Sequence, residues 1–167
     1  GIDYYFPIRV KARETAYDKD VFHPEFYYEP WVMPGRKYNA DRGWEIYEEA
    51  VVDIGMRIKE DYDNIPWFIS ENGIGIEGED RYRNKEGYID DDYRIDFLKG
   101  HLQRALKVRN MGSNCFGYFV WSFVDNLSAI NAFKNRYGLL ELDLKTGNRI
   151  PKKSLYWFKE IMKDRQV

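Results

Sequence analysis

Side chains that could do chemistry gather at the ends of three predicted strands. Tyr5 ends the first strand, Glu71 ends the second, and Trp121 ends the third, with Asn126 shortly after it. Glu71 precedes Asn72-Gly73, a pair that favours a sharp turn. A carboxylate in this place could serve as a nucleophile or as an acid or base. The local pattern also allows Glu71 simply to cap the turn, so it leaves both interpretations open.

Hydrophobic periodicity predicts the elements that position these side chains. A long loop to Gly43 follows the first strand, and a short hairpin arm spans Tyr137 to Asp143. Alternating strands and helices predict a parallel α/β sheet, and barrels of this kind place active sites at the strands' C-terminal ends. The predicted strands cover 1–6, 65–70 and 115–122, and the predicted helices cover 44–61 (N-cap region at Asp41), 91–111 (capped by Asp90 or Asp91) and 153–162.

Composition indicates one globular domain and excludes several classes of protein. The 167 residues are 44% hydrophobic and 32% charged, with 26 basic and 28 acidic side chains. No basic patch suggests nucleic-acid binding, and no apolar run has the length of a membrane span. Cys115 is the single cysteine and no signal peptide pattern opens the chain, so we expect a reducing, cytoplasmic location. His23 and His101 are too isolated to form a metal site, and no cofactor motif occurs.

Several ordered segments resemble glycoside hydrolase family 1. The segment Phe68–Gly73 is similar to the family's nucleophile motif, apolar-apolar-(Thr/Ser)-Glu-Asn-Gly. Gly1–Tyr5 resembles its sixth strand, Gly43–Tyr47 the opening of its sixth helix, Gly117–Asn126 its eighth strand, and Arg149–Ser154 the segment before its closing helix. The resemblance covers residues 1–167 and implies the C-terminal portion, about strands 6–8, of a single (β/α)8-barrel domain.

The resemblance implies retaining hydrolysis of β-glycosides. By analogy with the family, Glu71 attacks the anomeric carbon, Tyr5 donates a hydrogen bond to Glu71, and Trp121 forms an apolar platform beneath the sugar. For Trp121 the alternative is plain core packing. Asp3 departs from the family's Asn, and we assign it no catalytic role.

The residues after Asn126 imply a phosphorylated substrate. Ser128 stands where members acting on unphosphorylated glucosides have Glu, and Lys134 and Tyr137 match the cation and phenol of the 6-phospho branch. A carboxylate would repel a 6-phosphate, whereas a hydroxyl, an ammonium and a phenol can donate to it. Members often carry the Lys one position later, where this chain has Asn135, and Ala129 replaces the usual Trp. A β-glucosidase for unphosphorylated glucosides is the alternative.

The family's acid/base motif, Thr-x-Asn-Glu-Pro, does not occur in this sequence. Three βα units cannot close an eight-stranded barrel and would leave two open strand edges. We therefore expect the chain to need the N-terminal barrel portion as its partner and to be inactive alone. A non-catalytic module that binds sugar phosphates or assists assembly is an alternative of another class.

Overall fold

The structure, a computed structural model, describes residues 1–14, 23–164 and 167. Helices α1, α2 and α3 span Ala50–Asp61, Asp92–Asn110 and Lys153–Asp164, and a short 3-10 helix occupies Pro24–Phe26 and another Glu79–Tyr82. The strands are β1 (Ile2–Asp3), β2 (Val10–Ala12), β3 (Tyr28–Pro30), β4 (Lys37–Asn39), β5 (Trp44–Ile46), β6 (Trp67–Asn72), β7 (Ile76–Glu77), β8 (Cys115–Val120), β9 (Asn135–Arg136), β10 (Leu140–Leu142) and β11 (Arg149–Pro151).

The predicted parallel sheet is confirmed, with strand order β1-β6-β8. The register pairs Asp3 with Glu71 and Asn72 with Val120. The first strand is shorter than predicted, although the amide of Tyr4 still donates to the carbonyl of Glu71 at 3.0 Å. Because all three strands run the same way, their C-terminal ends meet at one edge of the sheet.

Helices α1 and α2 cover one face of this sheet with apolar side chains. Trp67, Ile69 and Val108 are almost fully buried in the shared core. A Cβ at Gly55 would lie 2.6 Å from the Trp67 ring, so only glycine allows α1 to approach so closely. Burying each large side chain contributes about 1.5–3 kcal/mol, so this contact fixes the sheet that carries the polar strand ends.

The predicted helix start at Trp44 and its N-cap at Asp41 are wrong. Trp44–Ile46 pairs antiparallel with Lys37–Asn39, and the helix begins at Ala50 after Glu49. The apolar residues at 44 and 46 flank a buried Glu45, which is a strand's two-residue alternation. Gly43, with a φ of +73°, closes the hairpin.

The structure also tests the long-loop prediction and the hairpin-arm prediction. Residues 15–22 of the predicted loop lie outside the described residues, but the rest contains β2, β3 and β4. The hairpin arm predicted within Tyr137–Asp143 is confirmed, since Leu140–Leu142 pairs antiparallel with Arg149–Pro151. Its turn is stabilised by Asp143, which accepts from the Thr146 hydroxyl at 2.6 Å.

The described strands do not close a barrel, and β8 leaves apolar side chains in solvent. Phe116 and Phe119 of β8, and Phe123 beyond the end of this strand, are more than half exposed. Across residues 1–14, 23–164 and 167, no helix is both long and apolar enough to cross a membrane.

Candidate active site

Strands β1 and β6 bring Tyr5 and Glu71 together at the C-terminal edge of the sheet. The Tyr5 hydroxyl donates to Glu71 Oε2 at 2.9 Å. Burial, and then the carboxylate of Glu71, raise the pKa of Tyr5 above its usual range, so the phenol stays protonated and donates. The neighbouring Asp3 instead accepts from the Ser70 hydroxyl at 2.7 Å. Tyr5 therefore orients the Glu71 carboxylate.

Asn72, the next residue after Glu71, ties the three strands together. Its side chain is fully buried and donates to the carbonyl of Tyr4 at 2.6 Å. Its Oδ1 accepts from the hydroxyl of Tyr118 on β8. The amide of Trp121 also donates to the Asn72 carbonyl at 2.8 Å. These contacts hold the backbone of Glu71 in place between its neighbours.

Trp121 reaches the same edge from β8. The backbones touch here, because a Cβ at Gly73 would lie only 1.8 Å from the Trp121 carbonyl oxygen. Trp121 and Tyr5 line a cavity of about 250 Å³. The complete lining is Tyr5, Trp44, Trp121, Asn126, Leu127, Ser128, Ala129 and Tyr137. Glu71 is not itself among the lining residues and meets the cavity wall through its hydrogen bond with Tyr5. The Trp121 indole in that wall suits a pyranose ring, whose flat apolar face packs on aromatic surfaces.

Of the residues predicted to select the substrate, all but one line this cavity. Asn126 accepts from the Ser122 hydroxyl at 3.2 Å, and the Ser128 Oγ accepts from the Ile130 amide at 3.3 Å. Tyr137 is buried, and burial raises the pKa of its phenol. Lys134 does not line the cavity: its Nζ lies 3.1 Å from Glu77, and the side chain is 61% exposed.

A buried ionic network supports the loops behind the cavity. Lys152 Nζ, fully buried, bonds Glu79 at 2.5 Å and Asp125 at 3.0 Å. Asp125 in turn accepts from the Gly138 amide at 2.8 Å, beside Tyr137. The guanidinium of Arg94 donates to the Tyr137 carbonyl at 2.9 Å. Paired charges of this kind fix one arrangement of the loops that carry Asn126 and Tyr137.

Sequence reasoning missed Trp44 and Arg42 as residues of this region. The ring of Trp44 lies 5.9 Å from that of Tyr5, and the guanidinium of Arg42 lies 4.2 Å from the centre of the Trp44 ring. Both belong to the β4–β5 hairpin, which the sequence prediction assigned to loop and helix. The alternation around Glu45 and the glycine at 43 were the signals that could have revealed this hairpin. Within the described ranges, no group of three or more His, Cys, Asp or Glu side chains could hold a metal ion.

Known proteins similar to this chain share one family. The sequence profile of glycosyl hydrolase family 1 matches residues 1–167. A 6-phospho-beta-glucosidase, GmuD, of Bacillus subtilis is 53% identical over 163 residues, which cover 96% of this chain and 35% of that protein. A 6-phospho-beta-galactosidase of Clostridium acetobutylicum is 43% identical over 129 residues, which cover 77% of this chain and 26% of that protein.

Solved structures give the same result. A family 1 β-glucosidase from Thermotoga maritima superposes with a TM-score of 0.82 and 31% identity, covering 99% of this chain and 34% of that one. The chain thus spans about a third of the length of the first of these relatives. Its fold is the C-terminal portion of a (β/α)8 barrel. On the match along all its residues, the chain belongs to glycosyl hydrolase family 1.

Proposed function

We propose that this chain works as the nucleophile-bearing part of a retaining 6-phospho-β-glucosidase. The observation that supports this most is the 2.9 Å hydrogen bond from Tyr5 to Glu71 at the mouth of a parallel sheet. The chain belongs to glycosyl hydrolase family 1. Retaining glycosidases use a carboxylate as nucleophile, which is the role that we propose for Glu71. The substrate class follows the relative named 6-phospho-beta-glucosidase, which is 53% identical.

In this proposal Glu71 Oε attacks the anomeric carbon while the bond from that carbon to the aglycone oxygen breaks. The leaving oxygen takes a proton from a carboxylic acid that this chain does not carry, about 5–5.5 Å from the nucleophile. Water then attacks the glycosyl ester, gives its proton to the same acid/base group, and releases Glu71. Tyr5 holds the carboxylate in line, and Trp121 packs against the sugar.

Selection of a phosphorylated substrate is supported by what lines the cavity. None of its lining residues is a carboxylate, and Ser128 and Tyr137 offer hydroxyl groups. Hydroxyl donors favour a phosphate, which a carboxylate would repel. Lys134 would have to leave Glu77 to contribute its charge.

Two other substrates are candidates on specific observations. The 6-phospho-beta-galactosidase relative, at 43% identity, supports a galactoside, and the loss of an indole at Ala129 leaves the sugar O4 with fewer contacts. The β-glucosidase with a TM-score of 0.82 supports an unphosphorylated glucoside, although its identity is only 31%. Higher identity to the phosphoglucosidase favours the first assignment.

Substrate competition tests this proposal. The full-length enzyme that contains this chain is assayed with p-nitrophenyl 6-phospho-β-glucoside, its galactoside counterpart and unphosphorylated p-nitrophenyl β-glucoside. We expect the highest kcat/KM on the phosphoglucoside, its abolition by Glu71→Gln, and full activity in Glu60→Gln, a matched change on an exposed face of α1. Equal or better turnover of the unphosphorylated glucoside contradicts the proposed substrate. The isolated 167-residue chain should turn over none of them.

A further inference from the structure

Buried polar atoms without a partner cluster beside the candidate cavity. Three of the four such side-chain atoms in the described part of the chain are Arg42 Nε, Asn131 Oδ1 and Asn135 Nδ2. An unpaired buried polar atom costs about 1–3 kcal/mol, so native proteins rarely concentrate them in one place without a use. Two of the three are donors, which is the chemistry that an anion requires.

Arg42 contacts the wall of the cavity but is not itself one of its lining residues. Its Nη1 donates to Asn135 Oδ1 at 3.2 Å, and its guanidinium lies over the Trp44 ring at 4.2 Å. Burial raises the pKa of the Tyr137 phenol, and the charge of Arg42 has the smaller, opposite effect of lowering that pKa. Trp44 and Tyr137 both line the cavity, together with Ser128. The guanidinium therefore lies behind the wall that carries the hydroxyl groups suited to a phosphate.

Arg42 also keeps its charge available. Among the residues that the structure describes, it has no carboxylate partner within salt-bridge distance, whereas Lys134 is 3.1 Å from Glu77. Asn135, 3% exposed, stands one position after Lys134 and bonds Arg42 instead of contributing a charge of its own. Position 135 is where family members often carry a lysine, whereas this chain has the neutral Asn135. Arg42, from the β4–β5 hairpin, contacts Asn135 and brings a positive charge to this place.

We propose that Arg42 is the cation that binds the phosphate of the substrate, with Ser128 and Tyr137 donating from the cavity wall. A guanidinium suits this role because its planar fork of N–H donors matches the oxygens of a phosphate. Asn135 positions the fork, and Trp44 supports its face through a cation–π contact. This inference rests on the proposed function, because it assigns the phosphate contact of that same site.

The test uses the full-length enzyme with three variants. Arg42→Met keeps the aliphatic contact with Trp44 but removes the charge, and Arg42→Lys keeps the charge but loses the fork. Arg36→Met is the matched control, because Arg36 also stacks on a ring, that of Tyr38 at 4.4 Å, but away from the cavity. The readouts are kcat/KM on p-nitrophenyl β-glucoside with and without the 6-phosphate, and inhibition by glucose 6-phosphate compared with glucose.

We expect Arg42→Met to lower kcat/KM on the phosphorylated substrate by about 10- to 100-fold, the range of one lost charge-assisted hydrogen bond, chiefly through KM. Turnover of the unphosphorylated substrate should change less than about twofold, and glucose 6-phosphate should lose its advantage over glucose as an inhibitor. Arg42→Lys should lower kcat/KM by about 3- to 10-fold on the phosphorylated substrate and leave kcat/KM on the unphosphorylated substrate unchanged. This second variant keeps the test valid if Arg42→Met folds poorly. Arg36→Met should behave as wild type.

An equal loss on both substrates, or no loss on either, overturns the role of Arg42 while leaving the proposed function intact. If the wild type does not prefer the phosphorylated substrate, the proposed function itself fails and this inference fails with it. The two failures are distinguished because the second appears in the wild-type assay, before any variant is compared.

Discussion

Tyr5 and Glu71, 66 positions apart in the chain, are joined by a 2.9 Å hydrogen bond from phenol to carboxylate. The parallel pairing of β1 with β6 produces this contact, since Asp3 and Glu71 are register partners and Tyr5 follows two residues later. Asn72 stabilises the backbone next to both residues, because its side chain donates to the Tyr4 carbonyl and accepts from the Tyr118 hydroxyl. The orientation of the proposed nucleophile is therefore a property of the sheet rather than of a flexible loop.

Removing the Tyr5 hydroxyl should slow catalysis without unfolding the enzyme. We expect Tyr5→Phe to lower kcat by about 10- to 100-fold, because a hydrogen bond to a charged group contributes about 1.5–3 kcal/mol. Tyr4→Phe is the matched control: its buried hydroxyl donates to the Tyr47 carbonyl at 2.7 Å and does not touch Glu71. That control should lower the melting temperature while kcat stays near wild type. Equal kcat values in the two variants would contradict the orienting role.

Placing a carboxylate at position 128 should change substrate preference. We expect Ser128→Glu to lower the ratio of kcat/KM for phosphorylated over unphosphorylated glucoside by about 100-fold or more, because like charges in contact cost several kcal/mol. Ser128→Gln is the control, with the same size but no charge, and should lower the ratio much less. The assay is the substrate pair used above. An unchanged ratio in Ser128→Glu would place the phosphate elsewhere.

Two adjacent lysines should differ sharply in their contribution to stability. Lys152→Met removes the buried cation that Glu79 and Asp125 share and leaves Glu79 with Arg94 and Asp125 with Arg136 at 3.6 Å, a loss of about 3–5 kcal/mol. Lys153→Met removes an exposed pair with Asp92, and solvent screening leaves such a pair with little effect on the free energy of unfolding. Urea unfolding of the full-length enzyme measures both free energies. Similar losses in the two variants would show that the network around Lys152 does not support the fold.

His101 should make stability depend on pH. Burial lowers the pKa of His101 from 6.5 to about 4, and its Nδ1 contacts the Phe97 carbonyl at 2.8 Å. Between these pH values the imidazole of His101 binds a proton in the unfolded chain but not in the folded chain. The free energy of unfolding is therefore undiminished by this group above pH 6.5 and decreases as the pH falls toward 4. The decrease in the free energy of unfolding caused by His101 is on the order of 3 kcal/mol.

Melting curves of the full-length enzyme from about pH 7.5 to about pH 4.5 check this prediction, because this range begins above the ordinary histidine pKa of about 6.5 and extends most of the way to the lowered value. A non-titrating variant, His101→Leu, should lose less stability on acidification than wild type. His23→Leu, at the exposed second histidine, should follow the wild-type curve. Parallel curves for His101→Leu and wild type would mean that His101 binds its proton equally well in both states.

The sequence predicted the parallel sheet and the place of Glu71 because both depend on local patterns. Buried parallel strands are short apolar runs, and the residue after such a run stands at the sheet edge. The β4–β5 hairpin was missed because Ile46 fits a helical period as well as the strand pairing that tertiary contacts select. Arg42 was missed for a related reason: its contacts with Asn135, 93 positions away, exist only in the folded chain.

Covalent trapping tests the central claim most directly. The full-length enzyme is incubated with a 2-deoxy-2-fluoro-β-glucoside 6-phosphate that carries a good leaving group, digested with protease, and analysed by mass spectrometry. The account predicts a fluoroglucosyl phosphate adduct on the peptide that contains Glu71, and none in Glu71→Gln. An adduct on another carboxylate, or inactivation without any adduct on Glu71, would contradict it.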